Sequence, residues 1–180
     1  MKKRLHSVFG ASVVAMALVF ASTPRAHATD TNVVKWDRII GFGSTPFPTI
    51  GGISVVGFPW TAQGGKAWVD LGMGQIKFTV KGLVLAGSTP LAVAGTIGVT
   101  TKVKGTLVCN GLSTVTSTLV DTPSVPLDPQ GNAEFVGQIV VPTDCLLTTV
   151  TLAFVIRVAE AAGNPSLVDK WNAVGVVRTP

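Results

Sequence analysis

Between Thr96 and Cys109 the residues alternate with a period of two. Ile97, Val99, Thr101, Val103, Gly105, Leu107 and Cys109 fall on one side, and Gly98, Thr100, Lys102, Lys104 and Thr106 on the other. Successive side chains of an extended chain leave opposite faces, so this pattern describes a strand with one face on a core. Asn110-Gly111 follows, a pair that tolerates positive φ and predicts a tight hairpin with a return strand over Ser113 to Val120. The same period recurs at Ile76, Phe78 and Val80, set between Lys77, Thr79 and Lys81. It returns from Val150 to Val158, while Ala133 to Val141 is apolar on nearly both faces and reads as a central strand.

Shorter strand candidates lie at Val33 to Ile40, Ile53 to Phe58, Ala67 to Leu71 and Ala173 to Val177. Turn clusters separate them: GSTP at Gly43 to Pro46 and again at Gly87 to Pro90, DPQGN at Asp128 to Asn132, and GNP at Gly163 to Pro165. Ser166 with Asp169 resembles a capping box and predicts one helical turn over Leu167 to Trp171. Eight or nine short strands with turns every dozen residues predict an all-β, antiparallel, immunoglobulin-like β-sandwich, with a small closed β-barrel as the alternative.

The first 28 residues stand apart. Lys2, Lys3 and Arg4 precede an almost wholly apolar stretch from Val8 to Ala21, and Ala26-His27-Ala28 offers a small-x-small cleavage pattern. Residues 1–28 therefore read as a secretory signal peptide and 29–180 as a single domain. The apolar stretch is shorter than the ~20 residues of a spanning helix. Four of the fourteen Lys and Arg residues lie in this leader, which leaves ten against nine Asp and Glu. The basic balance of the whole chain thus gives no reason to expect a nucleic-acid partner.

Both histidines, His6 and His27, also belong to the leader. Without imidazole a Ser-His-Asp relay has no base, and the usual neutral nitrogen ligand of zinc, copper and iron is missing. No metal or cofactor is expected. Cys109 and Cys145, the only cysteines of an exported chain, are expected to form a disulfide. Carboxylate catalysis needs two acids about 5–10 Å apart across a cleft, whereas most carboxylates here stand in turn contexts such as DTP, DPQG and PTDC. Asp128 with Asn132 is the nearest approach to a calcium loop, and it lacks the alternating oxygen ligands of one. No enzymatic activity is expected.

The one binding signal lies in GFPWTAQGGKAWVDLG, Gly57 to Gly72. If Ala67 to Leu71 is a strand, Lys66, Trp68 and Asp70 share its outer face, the composition of a sugar platform. The structural alternative has Trp68 covering a neighbouring strand beside Lys77 or Lys81. Trp60 reads as a plug at the sandwich end or a second ligand contact, and Trp36 and Trp171 as packing residues. Threonines at 114, 116, 118, 149 and 151 are too few for an ice- or crystal-binding array and match ordinary strand propensity.

Several segments are familiar together: GFPW at Gly57, VKGLVL at Val80, KGTLVCNG at Lys104, VPLDPQGNAEF at Val125, VVPTDC at Val140 and FVIRV at Phe154. Their order resembles a group of uncharacterised, small, secreted bacterial proteins. That resemblance implies secretion, a Cys109–Cys145 pair and an all-β fold, and it implies no activity. The expectation is a non-enzymatic secreted or envelope module, extracellular or periplasmic, that meets a macromolecule or a surface through its loops or one sheet face. A carbohydrate-binding module using Trp68, Asp70 and Trp60 is the first alternative. A pilin-like assembly subunit is the second, although the terminal VGVVRTP lacks an aromatic residue.

Overall fold

A computed structural model of the chain describes residues 32–42, 49–87, 93–110, 117–147 and 150–176. The segment read as a signal peptide, the tetrapeptide at Gly43, most of that at Gly87, Gly111, Thr114, Thr116, Thr149 and Val177 lie outside these residues.

Two antiparallel sheets face each other. The first contains β1 (Val33–Trp36), β4 (Gly64–Asp70), β5 (Gln75–Lys81) and β10 (Ala133–Gln138), in the order β1-β4-β5-β10. The second contains β2 (Arg38–Gly41), β12 (Trp171–Val176), β11 (Leu152–Ala161), β7 (Thr100–Cys109) and β8 (Thr118–Asp121), in the order β2-β12-β11-β7-β8. β9 (Val125–Pro126) pairs with β7 beyond the end of β8, and β3 (Trp60–Thr61) with β6 (Val84–Leu85) forms a separate two-stranded ribbon. The two main sheets are separate hydrogen-bonded units among the described residues, so the all-β fold is a sandwich and not a closed barrel.

The alternation in β5 dictates its burial. Ile76, Phe78 and Val80 are fully enclosed, while Gln75 and Lys81 stay exposed. Phe78 meets Phe154 of the second sheet at a ring-centroid distance of 5.8 Å, and Trp36 meets Phe154 at 5.5 Å. Gly105 lies under both phenylalanines: a Cβ there would sit 2.7 Å from each ring, so only glycine lets the sheets approach this closely. β7 and β11, ten residues each, form the centre of the second sheet. Cys109, at the end of β7, is bonded to Cys145 in the short 3-10 turn Thr143–Leu146, and both are buried.

Several expectations need correction. Twelve strands form among the described residues: Val33 to Ile40 divides at Asp37 and its halves join different sheets, and the two-residue strands β3, β6 and β9 add to the expected set. Ile53 to Phe58 makes only two isolated bridges, Ile53 with Ile50 and Val55 with Trp171. β10 is an edge strand that pairs only with β5, not a central one. Apolar residues on both faces report what lies above and below a strand, whereas centrality depends on backbone partners at its sides. The β7–β8 reversal pairs Cys109 with Thr118, so it takes eight residues and not the two of an Asn-Gly turn. Asn110 does adopt the left-handed conformation, φ 65°, and its carbonyl accepts from the Ser117 hydroxyl. The expected helical turn is a 3-10 turn at Pro165–Leu167, in which Ser166 Oγ donates to Asn164 Oδ1. Trp171 instead opens β12.

Candidate functional site

The register of the first sheet brings one cross-strand row to its outer face: Lys35 on β1, Trp68 on β4, Lys77 on β5 and Val136 on β10. A second row places Lys66 beside Thr79 and Glu134, and Lys81 closes the end of β5 opposite Gly64. Parity fixes these directions, since Ala67, Val69, Ile76, Phe78 and Val80 occupy the core side. Four lysines therefore share this face with a half-buried indole, Lys35 and Lys77 in its own row and Lys66 and Lys81 further along the strands. Lys77 pairs with Glu134 at 2.9 Å. Lys35, Lys66 and Lys81 are exposed and make no ion pair among the described residues.

Asp70 shares this face by parity but serves the turn that follows it. Its Oδ1 accepts the backbone N–H groups of Gly72 and Met73, both at 2.9 Å, and its carbonyl accepts from Gly74. The turn closes on Gly74 at φ 69°, where a side chain would collide with the Ile139 carbonyl. Asp70 is 8 % exposed, so its carboxylate organises the β4–β5 hairpin that sets Trp68 opposite Lys77.

Trp60 lies elsewhere. It is buried on β3, its backbone N–H donates to the Phe42 carbonyl at 2.6 Å, and its indole N–H has no partner among the described residues. It forms one wall of an apolar cleft of about 210 Å³ with Phe58, Leu85, Ile97, Val99 and Leu167. The structure thus keeps Trp68 and Asp70 on one hairpin and places Trp60 against a different cavity. Trp36 and Trp171 pack in the core.

The second sheet treats its charges differently. Lys104 Nζ bridges Asp121 and Asp169 at 2.7 Å each, and the buried Arg157 binds the same two carboxylates at 2.9 and 3.2 Å. Arg157 Nε also donates to the Asp169 carbonyl, and Thr106 Oγ1 donates to Asp121. Burial pushes the Asp121 carboxyl up. The Lys104 ammonium, the Thr106 hydroxyl and the Arg157 guanidinium outweigh it and hold the group below the ordinary aspartate value. Lys102 pairs with Glu160 at 2.7 Å, and hydrogen bonds from Lys102 and Thr101 lower that carboxyl.

Asp128 accepts from the Asn132 backbone and side-chain amides at 2.8 and 3.0 Å, which lowers its carboxyl and closes the DPQGN turn. These five carboxylates (Asp121, Asp128, Glu134, Glu160 and Asp169) each hold a cation or a turn. Among the described residues no three His, Cys, Asp or Glu side chains gather as a metal site. No helix there is long and apolar enough to cross a membrane.

Sequence reasoning placed Lys66 beside Trp68 but missed the row as a whole. The signal was present, because the short Asp70–Gly74 turn aligns Trp68 with Lys77. Lys35 needed the β1–β4 register, which no local pattern carries. No protein-family model matches the chain, no curated protein matches it, and no solved structure matches it.

Proposed function

We propose that this chain is a non-enzymatic, exported binding module whose outer first-sheet face engages an anionic polysaccharide, extracellular or periplasmic. The observation that carries this reading is the group of exposed Lys35, Lys66 and Lys81, without an ion pair among the described residues, on the same sheet face as Trp68. Three uncompensated ammonium groups on an open face attract a chain of carboxylates or sulfates, and the attraction weakens with salt. The ring of Trp68 offers a flat apolar patch to sugar C–H groups, with the lysines spaced along strands on either side. A flat, open site suits a polymer better than a small molecule, which prefers an enclosing pocket. The disulfide favours an oxidising compartment. Carboxylates already committed to cations and turns favour binding over acid–base chemistry.

Retention on immobilised heparin and polygalacturonate, against neutral dextran and single-stranded DNA, tests the proposal. The expected result is salt-sensitive binding to both anionic polysaccharides and none to dextran. Lys66→Glu with Lys81→Glu should weaken it about tenfold or more, with the circular-dichroism spectrum unchanged. Equal binding by that double variant, or tighter binding to the DNA than to either polysaccharide, would overturn the assignment.

A further inference from the structure

The edges of the two sheets are not equally protected. β1 is four residues long and leaves for the other sheet at Asp37. The end of β2 is covered by β3, whose Trp60 and Thr61 backbone lies where a Gly41 Cβ would be. The β8–β9 edge is broken by Thr122-Pro123-Ser124, and Pro126 withholds a donor. β10 has none of these devices along its later half.

The ladder fixes which groups are free. Ile139 N–H donates to the Gly74 carbonyl in the same register that pairs Gly137 with Ile76 and Phe135 with Phe78. Odd-numbered residues of β10 therefore exchange hydrogen bonds with β5. The N–H and C=O groups of the even-numbered residues point away from the sheet. Near Glu134 this edge is flanked by Pro126, which lines a cleft with Ala133 and Glu134. β10 itself ends at Gln138, and among the described residues no strand pairs with this side of the chain from Val136 to Val140. The two aliphatic residues there are unusually bare, Val136 at 64 % and Val140 at 87 % exposure. On the core side Phe135 stacks on Phe78 at 6.1 Å and lies back over Gly137, so the interior is already sealed.

We propose that a second copy of this chain docks antiparallel on this edge, centred on Gln138. In that register Gln138 faces Gln138 of the other copy, and each Val136 faces the other copy's Val140. The outward main-chain groups of Val136 and Gln138 are then matched in bonded pairs, and Val140, just past the end of β10, extends the strand to complete them. The segment is self-complementary: two amides meet at the axis, two pairs of valines flank it, and no like charges are opposed. Pro142, which lacks an N–H, ends the segment. Centring the pairing nearer Glu134 would drive the partner against Pro126 and leave Val140 exposed. The interface is a single strand, so the dimer is weak and concentration-dependent.

Three measurements on the mature chain test this. Sedimentation equilibrium should show a monomer–dimer equilibrium by about 1 mM. Hydrogen exchange of the Val136, Gln138 and Val140 amides should slow as concentration rises. Gln138→Lys and Gln138→Glu, alike in fold, should each be monomeric alone and associate when mixed, because like charges meet at the axis only in the two homodimers. A wild-type chain that stays monomeric to about 1 mM would overturn the proposal. So would a dimer in which those amides keep exchanging at the dilute rate, or charge variants that behave alike mixed and separate.

Discussion

The two sheets share a core but present opposite exteriors. On the second sheet the outer side is sheathed: the turn at Ile50–Ile53 lies over Val108 and Leu119, and Trp171 donates its indole N–H to the Ile53 carbonyl. Val108, Thr106 and Val155 are consequently fully enclosed, and Lys104 and Arg157 have carboxylates on them. On the first sheet only Pro126 flanks the outer side among the described residues, and three of its four lysines lack an ion pair there. Enclosed charge must be matched because desolvation is expensive. Charge left in water is free to meet something else. The contrast separates a face that holds the fold together from one that is available to a partner.

Substituting the two tryptophans tests that contrast most strongly. Trp171→Ala should cost about 4 kcal/mol, since it empties a fully packed indole site and removes one of the two hydrogen bonds to the Ile53 carbonyl. Trp68→Ala on the bare face should cost about 1 kcal/mol. Urea denaturation of both variants measures the difference, and similar losses would erase the distinction.

The charge network gives the next largest effect. Asp121→Asn leaves the buried Arg157 with Asp169 alone and should cost about 2 kcal/mol at neutral pH. Because the folded Asp121 carboxyl lies below its unfolded value of about 3.9, its contribution is complete above that value and disappears as pH falls through the folded one. The stability gap between wild type and Asp121→Asn should therefore be constant from pH 5 to 7 and close below about pH 4.

The smallest effect is the one expected of Lys66→Glu, within about 0.5 kcal/mol of wild type by thermal denaturation. A clear loss of stability would mean that this lysine supports the fold and is not held for a ligand.

The sequence disclosed strands better than neighbours. Strict alternation at Ile76, Phe78 and Val80 read correctly because one face is core and the other water. The disulfide was equally legible, since a chain read as exported, with two cysteines, has one pairing to make. The number and order of strands were not, because Asp37 redirects the chain between sheets without any glycine or proline to mark it. β10 was misplaced because its exposed Val136, and Val140 just beyond it, read as buried. The lysine face emerged only from register, a property of residues far apart in sequence. Asp70 looked like a ligand contact because its parity with Trp68 was visible, while its bonds to Gly72 and Met73 depend on the turn's three-dimensional form.

The bond between Cys109 and Cys145 spans 36 positions that include β8, β9 and β10, strands drawn from both sheets. Pulled at its two ends, the oxidised chain could therefore never pay out this portion, and about 130 Å of its extended length would stay locked away. The staple ties the end of β7 to the 3-10 turn that precedes β11, the strand paired along β7. Single-molecule stretching with and without reductant would read the hidden length directly.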